Sequence, residues 1–67
     1  MNLGNYRHYK GGHYTVLLVA KHSETDELMV VYRSKDTGET WCRPYADFVS
    51  VVEVNGKKVN RFTYEDK

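Results

Sequence analysis

Tyr14-Thr15-Val16-Leu17-Leu18-Val19-Ala20, then Lys21-His22-Ser23-Glu24-Thr25-Asp26-Glu27, then Leu28-Met29-Val30-Val31-Tyr32 is the stretch whose reading decides the fold. Two runs rich in β-branched, aromatic and aliphatic residues flank a uniformly polar link. Apolar runs of this length bounded by turn formers read as two strands of a hairpin, not as one helix. With a period of two, Tyr14, Val16, Leu18 and Ala20 share one face of the first strand and Leu28, Val30 and Tyr32 one face of the second. Leu17, Val19, Met29 and Val31 fall on the other side. Apolar residues on both faces suit a sheet that curves back on itself or has its outer face covered. The alternation assigns Val16, Leu18, Val30, Tyr32 and, from a later strand, Val51 to the interior.

The rest of the chain arranges itself around this hairpin. Upstream, Tyr6-Arg7-His8-Tyr9-Lys10 runs into Gly11-Gly12, a turn signal. That segment reads as an extended arm or a short strand. Downstream, residues 34–39 form a second polar turn with a late glycine, and residues 40–43 a third strand. Pro44 stops it, because a central strand cannot spare the N–H that proline lacks. Proline also suits the first position of a helix, so residues 44–48 have room for one helical turn. Residues 49–54 make a fourth strand, Asn55-Gly56 the strongest type I′ hairpin signal in the chain, and residues 57–64 a fifth. Glu65-Asp66-Lys67 are expected to fray. Five short strands with one helical turn before strand four describe an all-β fold, a small SH3-like barrel. An OB-type barrel carries a longer helix at that point, for which there is no room.

Sixty-seven residues make one domain, with an ordered core expected over residues 6–64. A chain this short buries only about 60% of the surface its unfolded form exposes. Cys42 is the only cysteine, so no internal disulfide forms, and a lone thiol points to a reducing compartment, the cytoplasm. The core must come from six Tyr, two Phe and one Trp, with weak dimerisation as an additional source of burial. Met1-Asn2-Leu3-Gly4-Asn5 lacks the pattern of a signal peptide, and no run approaches the roughly 18 apolar residues of a membrane span. A net charge of +1 does not advertise nucleic acid, but Arg7, His8, Lys10 and His13 precede the first acid, Glu24. A local basic patch is therefore expected at the start of the chain.

The motifs Tyr6-Arg7-His8-Tyr9-Lys10-Gly11, Tyr14 with Val16-Leu17, His22-Ser23-Glu24-Thr25, Val31-Tyr32, Trp41, Arg43-Pro44 and Phe48 resemble those of a small bacterial domain-of-unknown-function family, number 1653. The closing Val54-Asn55-Gly56-Lys57 and Arg61-Phe62 are also similar. One departure is visible: Ala46 and Asp47 stand in the turn where the family tends to carry a Met. The resemblance implies an SH3-type barrel and no catalytic role for any residue.

Two surfaces qualify as candidates. Residues 6–10 interleave aromatic and basic side chains, which stack on and charge-pair with anionic ligands; the alternative is an edge strand whose tyrosines cap the core. Trp41 and Arg43 share a strand face, where a guanidinium can stack on an indole, with Tyr45 close by; here too Trp41 reads equally as core. His22-Ser23-Glu24-Thr25 reads as a turn in which Ser23 and Thr25 bond their own backbone, not as a nucleophile with its base. His8, His13, His22 and Cys42 lack the close pairing of a zinc site, so neither metal nor cofactor is expected. Cys42 beside Trp41 reads as a small buried hydrophobe. The function read from the sequence is a non-catalytic binding module for a protein segment or anionic ligand, acting through Tyr6, Arg7, His8, Tyr9, Lys10, Trp41, Arg43 and Tyr45. RNA or single-stranded nucleic acid, held by Arg7, Lys10, Lys57, Lys58 and Arg61, is the alternative. A small enzyme using His8 or His22 comes third.

Overall fold

A computed structural model describes residues 1–65. Seven strands and one helical turn follow in order: β1 (Gly4–His8), β2 (His13–Lys21), β3 (Leu28–Ser34), β4 (Thr40–Pro44), α1 (Tyr45–Phe48), β5 (Val51–Val54), β6 (Lys57–Asn60) and β7 (Phe62–Tyr64). Antiparallel ladders join β4-β3-β2-β1-β7 into one sheet, while β5 and β6 pair only with each other. The fold is all-β with one helical turn, and its large sheet has five strands, as expected, though not the same five. The N-terminal arm is a full member, lying between β2 and β7. The expected strand over residues 57–64 breaks at Arg61, so its first half stays in the hairpin and its second half joins β1.

The sheet curls on itself, so that side chains of its two end strands approach each other. Arg43 comes from one end strand and Phe62 from the other, yet the guanidinium carbon lies 5.7 Å from the Phe62 ring centre. Inside the roll lie Tyr6, Val16, Val30, Tyr32, Phe48 and Phe62, with Tyr14 and Tyr45 packed against them. The single helical turn, opened by Pro44 at φ −56°, delivers Phe48 to the centre. Phe48 stacks flat on Phe62 at 4.0 Å between centroids, and Tyr6 and Tyr32 meet it edge-on at 5.3 and 5.4 Å. Edge-to-face and stacked aromatic pairs contribute beyond the area they bury, which matters in a core this small.

Two interior assignments fail, for different reasons. Val16 pairs with Tyr32, but the next pair is Leu18 with Val31, so Leu17 is an extra residue in β2. A bulge inverts every later side chain relative to a strict period of two. Val19 now stands opposite the fully buried Val30, and Leu18 turns outward, 47% exposed. Val51 belongs to the β5–β6 hairpin outside the sheet and is 54% exposed. Val16, Val30 and Tyr32 are buried as expected. Cys42, on the outer face of edge strand β4, is exposed rather than a buried hydrophobe. Glu65 is held, with its N–H donating to the Asn5 carbonyl at 2.7 Å; the rest of the expected frayed end, Asp66 and Lys67, lies outside the described residues. Asn55 and Gly56 both take positive φ, 51° and 79°, the type I′ geometry their sequence demands.

Candidate functional site

At the mouth of the roll, side chains from β2, β3 and β4 form a basin of about 300 Å³, which Tyr14, Tyr32, Ser34, Trp41 and Arg43 line together with Thr37 and Glu39 from the β3–β4 turn. The register explains the convergence. Trp41 stands opposite Tyr32 and Arg43 opposite Val30, so both point to the inner face; Trp41 is still half exposed because β4 is the edge of the sheet. Ser34 closes the floor, its hydroxyl accepting the N–H groups of Asp36 at 3.2 Å and Thr37 at 3.1 Å.

Cations surround a ring that resists protonation. Arg43 donates its Nε–H to the Tyr32 hydroxyl at 3.2 Å, and Arg61 donates its Nε–H to the Ser50 hydroxyl at 3.0 Å. The His8 ring packs against Phe62 at 4.8 Å, Tyr9 at 4.6 Å and Tyr14 at 6.3 Å. Burial lowers the His8 pKa, and the positive charges of Arg43, Arg61 and Lys10 lower it further. Its Nδ1 also accepts the Lys10 N–H at 3.1 Å, a bond that a second ring proton would break. Among the described residues Glu65 forms an ion pair with Arg7 at 3.2 Å, and its other carboxylate oxygen lies 3.4 Å from His13 Nδ1. Neither Arg43 nor Arg61, both half-buried, takes part in one. Each keeps the outer nitrogens of its guanidinium fork available to a planar oxyanion.

The eight residues singled out from the sequence do not form one face. His8, Trp41 and Arg43 come together in or beside the basin. Tyr6 is core, its hydroxyl donating to the Asn2 carbonyl at 2.7 Å; burial, then Tyr64 and Tyr45, raise its pKa. Arg7 alternates to the outer face, where it lines a separate groove of about 350 Å³ with Tyr9, Val54, Val59, Asn60 and Thr63. Lys10 lies in the β1–β2 turn over the Tyr9 ring at 5.8 Å, and Tyr45 packs half-buried on the core. Tyr14 and Tyr32 join the basin without having been singled out, and Phe62, buried in the core, packs against both rings at 5.6 Å. The inward faces of Tyr14 and Tyr32 are legible from alternation, but the arrival of Phe62 depends on the break at Arg61.

The segment after β2 is a turn, with His22 in the part expected of Ser23. The His22 Nδ1 accepts the Glu24 N–H at 3.1 Å, and the Thr25 hydroxyl accepts that of Glu27 at 3.2 Å. No three His, Cys, Asp or Glu gather among the described residues in a way that would hold a metal ion. No helix among them is long and apolar enough to cross a membrane.

The family model described as "Protein of unknown function (DUF1653)" matches residues 4–64, all seven strands. The chain belongs to this family. A crystal structure of a DUF1653 protein from Bordetella bronchiseptica is similar at 34% identity, with a TM-score of 0.89, covering 97% of this chain and 87% of that one. No curated protein matches the chain. The backbone that positions the basin is thus a shape this chain shares with another DUF1653 protein.

Proposed function

We propose that this domain is a non-catalytic binding module that receives an acidic side chain of a protein segment at Arg43 and Arg61, with Trp41 as the adjoining apolar contact. The supporting observation is the pair of half-buried arginines without a carboxylate partner among the described residues, both close enough to His8 to lower its pKa. Half-buried charges are normally paired, so cations left without a partner beside aromatic rings suit a ligand that brings the anion. We read the rolled sheet as an SH3-like barrel, and the exposed thiol of Cys42 as fitting a reducing compartment, the cytoplasm.

Nucleic acid is the second reading, favoured by the half-exposed Trp41 ring next to a guanidinium. Its proposed contacts are dispersed, however. Arg7 is on the outer face with Glu65, and Lys57 and Lys58 are on the separate hairpin.

An NMR titration of labelled protein with a glutamate-containing peptide and with a single-stranded oligonucleotide, each at two salt concentrations, tests the proposal. The peptide should move the His8, Trp41, Arg43 and Arg61 signals. Arg43→Gln should weaken it about tenfold or more, since a charge-assisted bond contributes roughly 1.5–3 kcal/mol. Should only the oligonucleotide bind, with a salt slope of about −0.7 per phosphate contacted, the second reading replaces the first. If neither ligand moves these signals, the basin is not the site.

A further inference from the structure

We infer that the partner segment binds as an added β-strand along the free edge of β4, in the order acidic residue, any residue, apolar residue. The inference rests on the reading of Arg43 as an anion contact and adds the backbone chemistry that would hold the segment. β4 ends the sheet, and among the described residues no main-chain hydrogen bond links residues 40–44 to any strand other than β3.

The register shows which groups are open. Ser34 donates its N–H to the Glu39 carbonyl at 2.8 Å, which makes that pair a bonded one. Bonded and non-bonded pairs alternate along an antiparallel ladder. From Ser34 and Glu39 the count passes through Arg33 with Thr40, Tyr32 with Trp41, Val31 with Cys42, and Val30 with Arg43. Trp41 and Arg43 therefore turn their main-chain groups toward β3. Thr40 and Cys42 turn theirs away from the sheet, and Pro44 ends the run with no N–H to offer. Such an edge is a template for another extended chain, and its shortness admits only a few residues.

Side chains set the order. Trp41 and Arg43 are two residues apart on the inner face, so alternate residues of an added strand would stand beside them. Antiparallel pairing is the more stable mode per residue. It places the residue beside Arg43 first and the residue beside Trp41 third. Glu39 lines the basin at the Trp41 end and disfavours a second acid there, so the charge belongs beside Arg43. The middle residue faces Cys42 and makes the main-chain bonds.

The probe is a capped peptide, Thr-Thr-Glu-Thr-Val-Thr, in three forms: unmodified, N-methylated at the threonine between Glu and Val, and N-methylated at the Glu. Binding of the unmodified peptide should slow hydrogen exchange at the Cys42 amide at least tenfold while leaving Trp41 and Arg43, already bonded to β3, unchanged. Methylation of the central threonine should weaken binding roughly tenfold or more, because it removes a donor aimed at β4. Methylation of the Glu nitrogen, which faces away, should have little effect. If both methylated peptides bind as tightly as the parent while the Arg43 signals still move, strand addition is overturned and the anion reading stands. If neither the peptide nor free acetate moves Arg43, both readings fall. If Cys42 becomes protected without peptide as protein concentration rises, a second copy occupies the edge, and the inference is overturned in that form too.

Discussion

At the scale of single residues, His8 reports on the basin. Above the ordinary imidazole value of 6.5, folded and unfolded chains both hold it neutral. As pH falls through that value the unfolded chain takes up a proton, while the folded chain resists until its lowered pKa is reached. The unfolded state then binds more protons, so the contribution of His8 to stability is in place above 6.5 and is lost on acidification through the folded value. The urea midpoint should therefore fall between about pH 7 and about pH 5, and His8→Gln should remove part of that fall. Equal slopes in the two proteins would mean that His8 is not held neutral by its surroundings. An anion docked at Arg43 and Arg61 should raise the His8 pKa, which its ring-proton shifts would read directly. A second residue-scale contrast follows from the bulge. Val30→Ala, at 0% exposure, should cost about 2 kcal/mol, counting two methyl groups and a small cavity. Leu18→Ala, half exposed, should cost well under that, about 0.5 kcal/mol, the usual range of surface substitutions. Comparable losses for the two, measured by urea denaturation, would show that Leu18 is inside after all.

At the scale of elements, the turns were the most legible part of the chain. Asn55-Gly56 specified its own geometry because few residues other than Asn and Gly accept two successive positive φ angles. Nothing lies within 4 Å of where a Gly56 side chain would begin, so a substitution there acts through the backbone alone. Gly56→Val should destabilise the hairpin by roughly 1–2 kcal/mol, the cost of left-handed backbone for an L-residue. The β5 and β6 signals should broaden or shift toward unfolded positions, while those of β2 and β3 stay put; unaltered hairpin signals would contradict the strain argument. What alternation could not reveal was the bulge. Leu17, Leu18 and Val19 are three apolar residues in a row, so no polar residue marks where the phase changes, and either register sets an apolar residue on the inner face. The break at Arg61 was hidden too, since residues 57–64 contain no Gly or Pro to mark it. Its cause lies in other segments: the Arg61 N–H donates to the Ser50 carbonyl at 3.0 Å, and the Arg61 carbonyl accepts the Tyr9 N–H at 2.9 Å.

At the scale of the whole molecule, the cluster of His8, Arg43 and Phe62 beside the basin exists because distant segments converge, and that convergence is what sequence reasoning could not supply. Arg43, Phe62 and His8 come from three strands brought together by the roll, whereas Arg7, adjacent to His8 in sequence, is sent to the opposite face by one step of alternation. The same architecture leaves the β5–β6 hairpin outside the main sheet, with Val51, Val54 and Val59 at 54%, 38% and 37% exposure. A two-stranded hairpin alone is marginal in water, and this one is secured mainly at its base, where Arg61 bonds Ser50. Local openings should therefore be far more frequent there than in the aromatic core. Native-state hydrogen exchange should show the internally bonded amides of β5 and β6 opening with a free energy well below that of the β2 and β3 amides around Val16 and Val30, which should exchange only by global unfolding. Denaturant should leave the hairpin openings nearly unchanged, because little new surface is exposed, while the core openings should follow the global slope. If both sets shared one opening free energy and one denaturant dependence, the hairpin would be an integral part of the folding unit, and contacts at its valines would have to account for the coupling.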